Sequence, residues 1–366
     1  MSNITLKEII IRAVNIPLNR PIVAHLGKFE SWPLLCLDVV THEGVIGRSY
    51  ISPYSKDYLL SISSCIKMLS KSYIDKNIEP YSFYEYSMKS LSLLGFKGIG
   101  LYALAALDIA FWDAFTKSAN KPLADYLGGS IKKKLKAYNS NGLWLIEIDK
   151  LAKEAEYLRN EGDFKALKLR LGRATYKKDM EAFKEVQRGA GDDVIIMSDY
   201  NQCFTTKDAL RRCYELDELG FYWFEEPIQF NLIDDLVKIC GNIKTPITIG
   251  ENFHGPKDVL DALTKNACDM IMPDIMRIGG ISGWLKASAI ADMFNIEVST
   301  HLYPEVSAHL MCITPTSEWL EWVDWGNPIL KDTYQVVNGN IIIPNKPGVG
   351  IEWNENAITK YYIPIE

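Results

Sequence analysis

The hydrophobic and polar positions change rhythm once along the chain. In the first third, apolar residues alternate or run in short blocks. Leu6–Pro17, Leu34–Thr41 and Val45–Ile51 read as strands, and Glu43-Gly44 marks a hairpin between the last two. A helical rhythm follows from Asp57 to about Tyr73. It returns over Gly100–Ser118, where Ala103, Ala106, Leu107, Ala110 and Phe111 share one face. Pro122 opens a further helical turn and Leu127-Gly128-Gly129 closes it. Residues 1–130 are therefore an α+β unit.

From about Lys134 the rhythm is strand then helix, repeated. The β-rich runs are Ala137–Ser140, Lys165–Leu171, Val194–Asp199, Phe221–Glu225, Pro246–Glu251, Met270–Asp274, Ile296–His301 and Trp319–Val323. Helical patterns such as Leu151–Asn160, Lys178–Arg188, Lys207–Leu219 and Trp284–Phe294 lie between them. Repeated strand-then-helix order implies a parallel sheet. Eight runs at ~30 residues per unit imply a (β/α) barrel over residues 131–324. Residues 325–366 are turn-rich, with "VVNGNIIIPNKPGVGI", and are expected to return to the first domain.

Composition narrows the class. The formal net charge is −6, which argues against a nucleic-acid binder. Seven cysteines, at Cys36, Cys65, Cys203, Cys213, Cys240, Cys268 and Cys312, show no C-x-x-C spacing and read as reduced thiols of a cytoplasmic protein. The start reads as a first strand rather than a signal peptide. No unbroken apolar run reaches the ~18 residues of a membrane span.

The strand ends carry the candidate chemistry. Asp199 ends "VIIMSD", Glu225 ends "FYWFE" and Glu251 ends "ITIGE", at two equal intervals of 26 residues. One βα unit returns the chain to the same height, so three carboxylates converge on the C-terminal rim, where barrel enzymes keep their sites. They would repel one another unless a cation intervened, and oxygen-only ligands suit Mg²⁺. Lys168 and Arg170 alternate on "LKLRL" and both point inward. Asp274 ends the sixth run and His301 the seventh, so neighbouring strands set them side by side. An aspartate there fixes the imidazole tautomer and raises its pKa. Glu321 lies in the eighth run, placed for a substrate carboxylate.

These residues resemble the enolase superfamily, in its mandelate racemase branch, over nearly the whole chain. "AALDIAFWDAFTKSANKPLADYLGG" is similar to the helix and turn before the barrel. "SDYNQ", "WFEEP" and "GEN" are similar to the metal-ligand strands. "PDIMRIGGISGW" and "STHL" resemble the Asp–His segments, and "EWLE" the final glutamate. The resemblance implies an α/β fold, a modified (β/α)8 barrel of (β/α)7β form with an N-terminal capping domain. It makes Asp199, Glu225 and Glu251 the Mg²⁺ ligands, with Glu226 behind them. It makes His301 the base, oriented by Asp274, with Asn201 on the substrate's α-hydroxyl and Glu321 donating to its carboxylate. Lys168 matches the first lysine of the family's K-x-K motif. It also implies a small carboxylate substrate, an enediolate intermediate and a homo-oligomer.

Arg170 departs from that pattern, standing where the second lysine, the base of the opposite face, is expected. Arginine keeps its proton, with a pKa of about 12.5 or more. Racemisation needs proton transfer on both faces, whereas one His–Asp pair suffices for dehydration. The reading favoured is dehydration of a sugar acid to a 2-keto-3-deoxy acid. The alternatives are a racemase or epimerase of a 2-hydroxy acid and a catalytically silent ligand binder. The resemblance implies a flexible loop of the first domain that closes over the substrate, matched here by Ile22–Trp32. Its His25, Lys28 and Glu30 suggest a mixed polar lid suited to a polyol, with Tyr54 capping the pocket.

Overall fold

The computed structural model describes residues 3–365. The cap begins with a long antiparallel hairpin, β1 (Leu6–Ala24) and β2 (Gly27–Thr41), followed by β3 (Ile46–Ile51). Helices α1 (Leu59–Lys71), α2 (Pro80–Leu91), α3 (Ile99–Ser118) and α4 (Leu123–Tyr126) complete it. The cap sheet runs β14-β1-β2-β3, where β14 (Tyr362–Ile363) is the last strand of the chain. Helix α2, not expected from the sequence, starts with Pro80 at its first turn and buries Phe83, Tyr84, Ser87 and Leu91 at helical spacing.

Helix α3 is long and apolar enough to cross a membrane by length and composition, but 78% of that stretch is buried inside the protein. It is the core helix of the cap. Gly47 of β3 lets the sheet approach it, since a Cβ there would lie 2.0 Å from the Ala110 carbonyl oxygen. Its other side docks on the barrel. Asp108 accepts from the Ser282 amide at 2.9 Å and hydroxyl at 2.6 Å, and Trp112 Nε1 donates to Ser282 at 3.0 Å.

The barrel alternates as its rhythm predicts. Its elements are β4 (Leu135–Asn139), α5 (Ile148–Asn160), β5 (Ala166–Arg170), α6 (Tyr176–Ala190), β6 (Ile195–Asp199), α7 (Thr206–Leu216), β7 (Phe224–Glu225) and α8 (Ile233–Cys240). They continue through β8 (Ile247–Ile249), α9 (Pro256–Thr264), β9 (Met270–Ile271), α10 (Gly280–Met293), β10 (Glu297–Val298), α11 (Pro304–Met311) and β11 (Leu320–Trp322). No α-helix follows β11 before the chain turns back, which is the (β/α)7β form. Parallel pairing runs from β4 through to β10, and β11 pairs with β4. No regular ladder joins β10 to β11. There, Val298 N donates to Thr316 O at 2.9 Å and Thr300 N to Trp319 O at 3.1 Å. The barrel floor is packed by Tyr138, Ala166, Met197, Trp223, Met270, Met272 and Trp319.

The C-terminal segment divides rather than returning whole to the cap. Strands β12 (Gln335–Val337) and β13 (Asn340–Ile342) form a hairpin that joins the barrel sheet at the start of β4, where Asn340 and Ile341 pair antiparallel with Lys136 and Leu135. The rest of the segment meets the cap: Trp325 packs on Trp32 with ring centres 4.6 Å apart, the Gly348 amide donates to the Lys121 carbonyl at 2.9 Å, and the Val349 amide donates to Asp113 at 2.7 Å. Trp353 donates to Asp38 at 2.7 Å, and β14 (Tyr362–Ile363), after α12 (Glu355–Tyr361), pairs with β1.

Candidate active site

Parallel register puts the acids at one height. Arg170 pairs with Asp199 across β5 and β6, and Asp199 with Glu225 across β6 and β7. Glu251 stands two residues beyond β8. One carboxylate oxygen from each of Asp199, Glu225 and Glu251 lies within 4.8 Å of the others. Burial and then Asp199 push the Glu225 carboxyl well above its usual range, while Lys168 pulls against them. Burial also raises Asp199, with Lys168 again opposing. Glu226, buried behind them at φ 38°, has Oε1 without a hydrogen-bond partner. Buried oxygens this close, with an unpartnered one behind, fit a hard divalent cation, which would relieve the repulsion.

The β5 side of the cavity is cationic. Lys168 Nζ lies 2.8 Å from Glu321, 3.1 Å from Glu225 and 3.7 Å from Asp199. Arg170 lies flat on Trp144, 3.9 Å from the ring centre, and donates to Ser140 Oγ at 2.9 Å. Its Nη1 reaches the carbonyls of Ser140, Gly142 and Lys168 at 3.4 Å each. Its Nε is buried without a hydrogen-bond partner, 3.7 Å from Asp199 Oδ2. Glu321 accepts from Lys168, from Ser140 Oγ at 2.7 Å and from the Leu302 amide at 2.8 Å. Burial alone would raise its carboxyl, but Lys168 and His301 take it down to about 2. An ionised carboxylate only accepts, and in this arrangement Glu321 accepts from three donors, whereas the resemblance implied that it donates to a substrate carboxylate.

The opposite side holds the dyad. Asp274 and His301 form a parallel bridge beyond β9 and β10. His301 Nδ1 donates to Asp274 Oδ2 at 2.7 Å, and Asp274 Oδ1 accepts from the amides of Met276 at 2.8 Å and Arg277 at 3.0 Å. Nε2 then faces the acid cluster, 3.3 Å from Glu251. Burial would lower the imidazole pKa, but Glu251 and the Asp274 bond outweigh it, and the net direction is upward. Leu302 and Tyr303, directly after His301, both take left-handed φ, 53° and 51°. Each such residue stores about 1–3 kcal/mol, held only where the surroundings impose it.

The lid is a hairpin rather than a loop. Ile22 pairs with Phe29, Val23 with Lys28 and Ala24 with Gly27. Period two then sorts the side chains. Ile22, Ala24, Leu26 and Phe29 line a cavity of about 80 Å³ with Trp32, Tyr54, Trp144, Leu302 and Trp325, above Lys168, Arg170, Asp199, Asn201, Glu251, His301 and Glu321. Lys28 and Glu30 fall on the outer face, exposed and paired with each other at 2.6 Å. His25 lies outside the cavity, with Nε2 3.0 Å from the Gly172 carbonyl. The expected mixed lid is therefore apolar toward the cavity. Asn201 lines the cavity but turns both its amides to Asp199, at 2.7 and 2.8 Å.

Comparison with known proteins agrees with this geometry. The family model for the mandelate racemase/muconate lactonizing enzyme N-terminal domain matches residues 6–128, and that for the enolase C-terminal domain-like fold matches residues 150–357. The chain belongs to the mandelate racemase branch of the enolase superfamily. A magnesium-bound enolase from alpha proteobacterium BAL199 is 40% identical with a TM-score of 0.96, over 98% of this chain and all of that one. A Bradyrhizobium enolase complexed with magnesium and mandelic acid is 32% identical with a TM-score of 0.94 over the full length of both. The arabinonate dehydratase of Saccharolobus solfataricus is 27% identical over 90% of each chain.

Within this family fold, the structure adds residues that sequence reasoning passed over. Ser140 joins Arg170 to Glu321, and it ends its strand as the acids end theirs, a signal that was there to use. Arg277 lies over Tyr54 at 4.9 Å and donates to the Glu251 carbonyl at 2.9 Å. Trp144 and Trp325 come from loops, where no periodicity marks them.

Proposed function

We propose that the protein removes the proton α to the carboxylate of a small 2,3-dihydroxy acid with an apolar far end and dehydrates it to a 2-keto acid. His301 is the base, and Asp199, Glu225 and Glu251 hold Mg²⁺. The observation that carries this reading is the asymmetry of the cavity. An oriented imidazole faces the acids on one side, and an arginine tied to Ser140 and stacked on Trp144 stands on the other. A bound Mg²⁺ would stabilise the charge that builds on the carboxylate as the α-proton leaves. Lys168 adds a fixed positive charge beside it, and Arg170 Nε offers an unused donor for a substrate oxygen. His301 Nε2 takes the proton while Asp274 steadies the imidazolium. The C3–O bond then breaks, and His301 returns its proton to the departing hydroxide as water. The enol takes a solvent proton at C3 to give the keto acid. The cytoplasmic, homo-oligomeric state expected from the sequence is part of this reading.

The apolar lid moves the substrate away from a full polyol, because hydroxyls against Ile22, Phe29 and Trp32 would lose their water partners. Related dehydratases of sugar acids support the reaction type. The same lid, with the mandelic acid complex of the Bradyrhizobium relative, favours a second reading: a racemase of a 2-hydroxy acid. Purified protein with Mg²⁺ is to be offered alkyl- and aryl-substituted 2,3-dihydroxy acids, sugar acids and mandelate, following 2-keto acid formation and α-proton exchange in D₂O. EDTA-sensitive keto acid from the apolar members is the expected result. Exchange in both configurations without water loss would make it a racemase, and neither signal on any of them would leave a silent binder.

A further inference from the structure

We infer that Tyr303 is a positioning residue through which the cap sets the His301–Asp274 dyad. Its hydroxyl stands at a junction of three segments. On the cap, the Ser52 amide, one residue past β3, donates to it at 2.9 Å. On the Asp274 loop, the hydroxyl points to Met276 Sδ at 3.5 Å. On its own loop, Tyr303 is two residues from His301 and ends the left-handed pair that turns the chain into α11. Met276 is the residue whose amide fixes Asp274 Oδ1. One hydroxyl therefore touches the cap and both loops that carry the dyad.

The local bonds fit this role. The Leu302 amide is spent on Glu321, the Leu302 carbonyl accepts from Ser307 Oγ at 3.0 Å, and the Tyr303 carbonyl accepts from the Ser307 amide at 2.9 Å. These hold the turn to the barrel but not to the cap. The cap holds this turn and α11 through two tyrosines, beside the Ala124 amide that donates to His309 at 3.2 Å. Tyr303 takes the Ser52 amide, and Tyr50 of β3, its ring centre 5.5 Å from that of Tyr303, donates to Glu305 of α11. Tyr303 is 3% exposed, so water cannot replace its hydroxyl as the partner of the Ser52 amide. A strained turn persists only while its surroundings impose it, and here the Ser52 contact adds the other domain to the barrel bonds that impose it. The dyad thus reaches its working geometry when the cap is seated.

The test reads the dyad directly, so it does not depend on the proposed reaction. In ¹⁵N-histidine-labelled protein, the Nδ1 proton of His301 is identified as the resonance missing from His301→Asn. Tyr303→Phe keeps the ring and removes only the hydroxyl. The expected result is loss or exchange broadening of that resonance, with the Mg²⁺-induced rise in Tm retained as a sign that the acid cluster is intact. A sharp resonance at its wild-type position in Tyr303→Phe overturns the inference. Should that variant fail to fold, urea titration of the wild type decides. The resonance and the hydrogen-exchange protection of the Ser52 amide are to disappear together, and a resonance that outlasts the amide's protection overturns the inference equally. Where a substrate has been found, kcat should fall about tenfold in Tyr303→Phe with KM within about twofold, the pattern of a group that acts only through the transition state.

Discussion

The two walls of the cavity are built on opposite plans. On the β10 wall, His301 has one strong partner, Asp274, and its second nitrogen is directed at the acids. On the β5 wall, the Arg170 guanidinium meets Ser140, three carbonyls and the face of Trp144. The first wall can take and return a proton. The second holds its protons and can only donate hydrogen bonds. The proposed chemistry on one face of the substrate rests on this division, and the contrast can be broken at either wall.

The largest effect comes from the β10 wall. His301→Asn keeps a polar group of similar reach but removes the base, so turnover should fall by about 10³-fold, within the range of acid–base catalysis. Keto acid formation at saturating Mg²⁺ measures it, and near-normal turnover would move the base elsewhere. At the β5 wall, Arg170→Lys supplies a group whose pKa shifts readily on burial and which can serve as a base. Dehydration should fall about 10² -fold as the fork of bonds to Ser140 is lost. α-Deuterium from D₂O should now enter from both faces. If the wild type already exchanges from both faces, the wall of Arg170 is not inert and the contrast collapses.

The division between walls was legible because barrel topology assigns addresses. Once Asp199, Glu225 and Glu251 recur every 26 residues, parallel register can only bring them to one rim, and the Asp274–His301 pair follows in the same way. The lid obeys a different rule. The family resemblance implies a flexible loop at Ile22–Trp32, and in a loop nothing prevents His25, Lys28 and Glu30 from facing the pocket. Pairing Ile22 with Phe29 makes it a hairpin, and a strand sends neighbours to opposite faces. That single change of class turns His25, Lys28 and Glu30 outward and brings four apolar side chains in. The split of the C-terminal segment was hidden for a related reason, since a three-residue strand such as β13 gives no periodicity to read.

The lid sharpens the comparison by asking which wall the substrate's far end meets. Phe29→Ala removes a ring from the hairpin's inner face, while Lys28→Ala changes only the exposed one. For an acid with an apolar end, Phe29→Ala should lower kcat/KM about tenfold, the scale of apolar discrimination in a pocket. Lys28→Ala should leave it unchanged. Equal losses in the two variants would mean that the hairpin acts as a whole and not through its inner face.

The smallest effect tests what stands behind the β10 wall. Glu305, on the first turn of α11, is buried with Tyr50 as its hydrogen-bond donor, and burial pushes its carboxyl up to about 7, with the Tyr50 bond opposing. On the β5 side, by contrast, Glu321 is held ionised by Lys168. A carboxyl whose folded pKa lies above its unfolded value favours the folded state fully at low pH. That contribution is lost as pH rises through the folded value, because the folded state binds the extra proton. Between pH 5.5 and 6.5 the wild type should therefore lose about 1 kcal/mol of stability relative to Glu305→Gln, close to the limiting slope for one proton. The glutamine keeps an acceptor for Tyr50 and has no proton to lose, so every other titrating group cancels in the difference. Urea denaturation of both proteins at the two pH values gives the number. Parallel curves would show that Glu305 is ionised in the folded protein across this range, and the seat of the cap on α11 would then be a buried charge and not a neutral pair.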